Sequence, residues 1–292
     1  MSMPIATRAE TDPTRAAASS SRSLDVRRRP RWSDRIAGLP IARAVVSVAH
    51  ERRFAGNRDR NLFRGVFASR EAAQASSPPT RPIGYDNAES AALYLGRTDP
   101  EPYDYPAMFW LARRVAEGAR TVFDVGGHFG MKYYAFDSRI AYPDGLRWTV
   151  CDVPAVTARG RAIAARRDRA RRLAFTDDHA ALDGQDVLFA SGVLQYLPMT
   201  LPDWLAGLRR PPRHLILNTT PLHPEESFFT LNSIGTAFCP YRVQHESALF
   251  AALEAMGYRC ADRWVNPGKT MHIPTHPRHS LDDYVGACFV LG

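Results

Sequence analysis

Two periodicities alternate along the chain from Tyr105 to the C-terminus. Met108, Phe109, Leu111, Ala112 and Val115 recur at helical spacing and stop at Gly118. A short apolar run over 121–125 then predicts a strand. The same alternation continues with helices over 132–141, 155–167, 202–208 and 246–256. Strands are predicted between them over 146–151, 173–176, 186–190 and 214–218. Pro154 sits at a usual first-turn position and Gly257 stops the last helix. Strands alternating with helices predict a doubly wound α/β fold, with a mostly parallel sheet covered on both faces. Two closing strands, 258–264 and 284–291, have no helix between them, which predicts an antiparallel hairpin at a sheet edge.

The first hundred residues differ. Residues 1–30 are polar, rich in Ala, Ser and Arg, and without periodicity, which predicts a disordered basic tail. Ile36, Leu39, Val45, Val46 and Val48, then Leu62, Phe63, Val66 and Phe67, have helical spacing. They predict a helical N-terminal extension or cap over 31–104, broken near Ser76 to Pro82. The cofactor-binding body is then expected over 105–292.

Charge narrows the range of partners. The net charge is +8, but residues 1–80 hold 15 Arg against 7 acidic residues, whereas the rest holds 23 basic and 23 acidic groups. The body is neutral and has no electrostatic footprint for nucleic acid. The run Arg27-Arg28-Arg29 is expected to be a solvated tail. Only Lys132 and Lys269 are lysines, which with the Ala-rich stretches indicates GC-rich, bacterial coding bias. Cys151, Cys239, Cys260 and Cys288 are widely spaced, as in a reduced cytoplasmic protein. No apolar run reaches membrane-spanning length; the best, 41–49, is short and interrupted by Arg43.

The chemistry concentrates in Asp124-Val125-Gly126-Gly127-His128-Phe129-Gly130, which follows a strand and opens a helix. In a doubly wound sheet a ligand crosses the strand ends at such a turn, and glycines let backbone approach it. A dinucleotide fingerprint is G-x-G-x-x-G, whereas this run is D-x-G-G-x-x-G. A carboxylate repels a pyrophosphate but attracts the α-ammonium of an amino-acid moiety, directly or through water. Asp152 ends the next strand, where it could accept from both ribose hydroxyls. Asp177, followed by Asp178, could accept from an adenine amino group. Ser191-Gly192-Val193-Leu194-Gln195 follows the fourth strand, where small residues let a loop pack beneath a cofactor.

At these residues the chain resembles the class I S-adenosylmethionine-dependent methyltransferases. The run Cys151-Asp-Val-Pro-Ala-Val156 is similar to the second-strand motif of small-molecule O-methyltransferases. Residues 63–292 also resemble an uncharacterised bacterial methyltransferase group associated with surface-polysaccharide gene clusters. That resemblance rests on Phe123-Asp-Val-Gly-Gly-His-Phe-Gly130, Leu194-Gln-Tyr-Leu197, Thr230-Leu-Asn-Ser-Ile-Gly235, Pro240-Tyr-Arg242 and Ile273-Pro274. It implies a seven-stranded sheet and S-adenosyl-L-methionine as cofactor. The cofactor residues are then Asp124, Gly126, Gly127, His128, Gly130, Asp152, Val153, Asp177, Ser191, Gly192 and Gln195. His128 departs from the small residue that many members carry.

The expected reaction is methyl transfer to a small-molecule or sugar acceptor, at oxygen. The alternatives are a nicotinamide-dependent oxidoreductase and a non-catalytic S-adenosylmethionine-binding protein. A hydroxyl acceptor calls for a base, and a neutral imidazole suits it. His223, after the fifth strand, is the first candidate, and His272, between the closing strands, the second. His276 and His279 share that loop, but Pro274 and Pro277 disfavour a helix that would align them, so no metal is expected. Asp104, Tyr105 and Pro106 precede the first helix and could line the acceptor pocket.

Overall fold

A computed structural model describes residues 40–57, 59–95 and 99–292. The basic tail over 1–30 and the Arg27-Arg28-Arg29 run lie outside the described residues. Among the described residues no helix is long and apolar enough to cross a membrane.

The elements in chain order are α1 (Pro40–Gly56), β1 (Arg60–Phe67), α2 (Arg70–Ala75), α3 (Ala88–Ala91), α4 (Tyr105–Ala116), β2 (Thr121–Val125), α5 (Met131–Asp137), β3 (Arg147–Cys151), α6 (Pro154–Arg167), β4 (Leu173–Thr176) and β5 (Val187–Ser191). They continue with α7 (Leu201–Ala206), β6 (His214–Thr220), β7 (Leu222–His223), β8 (Phe228–Ile234), β9 (Phe238–His245), α8 (Glu246–Ala255), β10 (Tyr258–Asn266) and β11 (Tyr284–Leu291).

The main sheet has seven strands in the order β10-β11-β6-β5-β2-β3-β4. Strands β2 to β6 run parallel. Only β11 opposes them, hydrogen-bonded antiparallel to both β6 and β10. This is the doubly wound, mostly parallel sheet with an antiparallel closing hairpin that the periodicities predict. Both faces are apolar because both are covered by helices. Phe123, Leu188, Leu215 and Phe289 face one core with Trp204 and Leu253. Val122, Phe189, Ile216 and Cys288 face the other with Leu111 and Phe136. Neighbouring positions on each strand thus go to opposite faces, as the pleat requires.

The chain winds outward from β2 through β3 to β4, then returns to the other side of β2 as β5. The loops after β2 and β5 therefore leave the carboxyl edge side by side. This is the switch point at which doubly wound sheets bind ligands.

A second sheet, β1-β8-β9-β7, was not foreseen. The helical spacing predicted over 33–75 holds for α1 and α2 but not for 62–67, which lie in β1, antiparallel to β8. Two register shifts in that pairing, before Leu62 and between Arg64 and Phe67, interrupt the strand's alternation. Leu62 and Phe67 pack with Phe54 and Phe238, while Phe63 and Val66 pack with Tyr241 and Val243. A bulged strand with two buried faces reproduces the 62, 63, 66, 67 spacing of a helix.

Candidate functional site at the carboxyl edge

The loop after β2 is shaped by two close approaches. Gly126 has φ +69, and a Cβ there would lie 2.5 Å from Val193 Cγ2 in the loop after β5. A Cβ on Gly127 would collide with the Asp124 carboxyl. Any side chain at these two positions would separate the two loops or displace Asp124.

Asp124 is enclosed rather than presented. Its Oδ2 accepts from Trp148 Nε1 at 3.0 Å, and the residue is 1% exposed. Burial raises its carboxyl to about 7, against the lowering pull of the Trp148 N–H and of the Lys132 charge. Asp152, at the end of β3, organises the loop from the other side. Its Oδ2 accepts the His128 amide at 3.0 Å and its Oδ1 accepts the Val153 amide at 2.8 Å. Burial pushes it up to about 6, while those two amides pull it down. Each oxygen keeps a second lone pair for a ligand.

His128 has φ +56, a left-handed conformation that costs a non-glycine residue energy. Its ring is buried among the edges of Tyr85, Tyr94 and Phe129, with Nε2 3.3 Å from the Ser90 carbonyl. Burial lowers the pKa of the imidazole, which keeps it neutral. Gly130, at φ +88, ends the loop and opens α5. Ser191 ends β5, and Gly192, at φ +70, donates its amide to the Asn218 carbonyl at 2.9 Å. Gln195 is buried in the turn that follows. Asp177 is exposed beyond β4, and Asp178 caps the next turn through Ala180 N at 2.8 Å.

Loops after β2, β3 and β5 thus bring together Gly126, Gly127, His128, Asp152, Val153, Gly192 and Gln195. The two histidines proposed as bases are not part of those loops. His223 is buried in β7, and its Nδ1 accepts the Glu225 and Glu226 amides, both at 3.2 Å. Its proton is therefore on Nε2, which donates to the Arg278 carbonyl at 3.0 Å. Both ring nitrogens are thus engaged by backbone groups. His272 is exposed between β10 and β11. His279 pairs with Glu226 at 3.1 Å, and no group of three or more potential metal ligands occurs among the described residues.

Several residues at this edge escaped the motif analysis. Asp86 Oδ1 accepts the Ala155 amide at 2.9 Å, and Ser90 Oγ bonds Thr236 at 2.9 Å. The 82–95 segment is thereby fastened both to α6 and to the β8–β9 turn. Asp104 is part of a buried polar network. Its carboxylate meets Lys132 Nζ at 2.6 Å and Asn218 Nδ2 at 3.3 Å. Asn218 in turn accepts from Asn266 at 2.9 Å and from Trp264 at 3.1 Å. Lys132 and Lys269, the only lysines in the sequence, both face the Tyr103 ring, at 5.8 and 4.2 Å from its centroid. Their rarity was the one sequence signal that could have singled out this cluster.

No protein-family model matches the chain, and no curated protein matches it. Among solved structures it is similar to the 1,6-didemethyltoxoflavin-N1-methyltransferase of Burkholderia thailandensis, with bound 1,6-didemethyltoxoflavin and S-adenosylhomocysteine. That likeness has a TM-score of 0.44 and 21% identity, covering 65% of this chain and 79% of that one. A methyltransferase from Streptomyces caelestis gives a TM-score of 0.45 at 14% identity, covering 72% of this chain and 98% of that one. A glycopeptide N-methyltransferase complexed with S-adenosylhomocysteine gives 0.47 at 13% identity, covering 70% and 98%.

Proposed function

We propose that the protein binds S-adenosyl-L-methionine at the β2/β5 switch point and transfers its methyl group to a small-molecule or sugar acceptor, at oxygen. The carrying observation is the sheet. A dinucleotide fold repeats two parallel βαβαβ halves in the order 3-2-1-4-5-6. Here the strand beyond β6 is the antiparallel β11, so the second half is incomplete. One complete half suits one nucleoside, and the D-x-G-G-x-x-G spacing departs from the dinucleotide fingerprint G-x-G-x-x-G. A sugar acceptor accords with the sequence resemblance to the group linked with surface-polysaccharide genes.

The methyl on a sulfonium is already activated, so the protein's main task is to align donor and acceptor. Asp152 would take the ribose hydroxyls on its remaining lone pairs, Asp177 the adenine amino group, and the Gly126, Gly127 and Gly192 backbone would lie against the ligand. Of the two imidazoles considered as base, His272 keeps that role in this proposal.

S-adenosylhomocysteine at ~100 times its dissociation constant should stabilise the fold by roughly 2.7 kcal/mol. Differential scanning fluorimetry should show the shift with this ligand and none with NAD or NADP. A shift confined to the nicotinamide cofactors would overturn the proposal.

Asp152→Ala should weaken S-adenosylhomocysteine binding by about 1.5–3 kcal/mol, the usual worth of hydrogen bonds to a charged group. Wild-type affinity should fall as pH drops through about 6, because protonation removes the charge from those bonds. Calorimetry that finds a folded variant with undiminished affinity would remove Asp152 from the site.

A further inference from the structure

The body of the chain is neutral overall, but its charge is not evenly spread. Residues 166–172 hold five Arg against one acidic residue, Asp168. They cover the end of α6 and the turn into β4, at the amino edge of the main sheet, opposite the loops of the switch point. Arg166 and Arg167, in the last turn of α6, complement the negative end of that helix. Arg169, Arg171 and Arg172 lie beyond the helix, so its dipole does not account for them.

This turn and the end of α5 line a cavity of about 210 Å³. Tyr133, Tyr134, Arg167, Asp168, Arg169 and Arg172 are among its walls. Asp168 is already engaged: its Oδ1 accepts the Tyr133 hydroxyl at 3.1 Å and its Oδ2 accepts the Leu173 amide at 2.8 Å. Asp137, the other acid of the lining, is exposed. Arg172 donates to the Tyr142 carbonyl at 3.3 Å and comes no closer than 3.9 Å to Asp144. Arg167 lies over the Tyr134 ring, 4.5 Å from its centroid. Stacking uses the face of a guanidinium and leaves its in-plane N–H donors available. Neither Arg167 nor Arg169 forms an ion pair among the described residues.

Tyr134 supplies a second, independent observation. Its hydroxyl is buried with no hydrogen-bond partner. Burial pushes that hydroxyl up to about 12, so it keeps its proton and can donate. A buried unpaired hydroxyl costs free energy, and native proteins rarely leave one without a reason. An anion would accept from this hydroxyl and from the guanidiniums together. A carboxylate has two oxygens in one plane, whereas a phosphate presents oxygens in several directions and can meet three donors at once. At ~30 Å³ per water, the cavity has room for about seven waters. That volume suits one phosphate group, not a whole nucleotide.

We propose that this cavity is a phosphate-binding site, in which the Tyr134 hydroxyl and the Arg167 and Arg169 guanidiniums donate to the oxygens of one phosphate group. The site is at the opposite edge of the sheet from the switch point, and it does not depend on which cofactor binds there.

The test is calorimetry on the full chain, with inorganic phosphate as titrant and chloride holding the ionic strength constant. Wild type should bind at one saturable site. Tyr134→Phe should lose about 10-fold or more in affinity, the range for a hydrogen bond to a charged group. Its unfolding midpoint should not fall, because the hydroxyl makes no bond within the fold. Arg169→Gln should lose affinity to a similar degree; this residue is exposed, so the variant keeps the test open if Tyr134→Phe disturbs packing. Arg52→Gln removes an equal charge from an exposed position on α1 and should stay within about twofold of wild type, since distant surface charges are screened. Glucose 6-phosphate separates the sources of the group. Tighter binding of the ester would make the ligand a phosphorylated metabolite, and tighter binding of inorganic phosphate a free anion; either upholds the site. Wild type that binds neither probe saturably would overturn the proposal. So would Tyr134→Phe and Arg169→Gln proteins that bind as tightly as wild type.

Discussion

Lys132→Met should destabilise the fold by about 3–5 kcal/mol, the usual cost of removing one partner from a buried ion pair. The Asp104 carboxylate is fully buried and its closest partner is Lys132 Nζ, at 2.6 Å. After the substitution it would keep the Glu101 amide at 2.9 Å and the Asn218 amide at 3.3 Å, but no countercharge at that distance. The double variant Lys132→Met, Asp104→Asn should recover most of the stability, because a neutral amide needs no countercharge. Urea unfolding of wild type, single and double variants at pH 8 separates these effects. A single variant within about 1 kcal/mol of wild type at pH 8 would show that the pair is not a structural element.

The second large effect is a pH dependence written into Asp124. Its folded carboxyl is raised from 3.8 to about 7, chiefly by burial. A group whose folded pKa is raised contributes its stability in full below the unfolded value and loses it as pH rises through the folded value. Asp124 therefore favours the fold below pH 3.8 and opposes it increasingly up to about pH 7. The difference corresponds to about 4 kcal/mol at full ionisation. Asp124→Asn removes this titration while keeping an oxygen for Trp148. Measured relative to wild type, its stability should improve by about that amount between pH 4 and pH 8. The comparison is internal, so any fixed cost of packing the amide cancels. A stability difference that does not change with pH would show that Asp124 stays ionised in the fold.

The doubly wound sheet was legible because its signals are local. Each strand of the parallel half is an apolar run bounded by turns, and Phe123 and Val122 are both buried because both faces are covered. The 126–130 loop was legible in its residue types, though only Gly127 answers to a near neighbour, Asp124; Gly126 answers to Val193 in the loop after β5. Bulged β1 was not legible, because its spacing is ambiguous until β8 supplies a partner. The β8–β9 hairpin was missed as well. It carries buried polar residues such as Asn232, whose amide is satisfied by the Leu62 carbonyl far away in the chain.

By itself, then, the sequence determined the order of elements in the main sheet, the position of the glycine turn after β2 and the neutrality of the body, all properties of composition or of spacing within one element. The tertiary structure decided which side chains keep unused hydrogen-bonding capacity. Asp124 has the right residue type in the right motif, but Trp148 takes its carboxyl. His223 is an imidazole beyond the right strand, but three backbone groups occupy its two nitrogens. His128 entered as a departure from a motif, and its Nδ1 is one of two unpaired acceptors at the switch point. A titratable group acts through the lone pairs and protons its neighbours leave unused, and those neighbours are brought in by folding from anywhere in the chain.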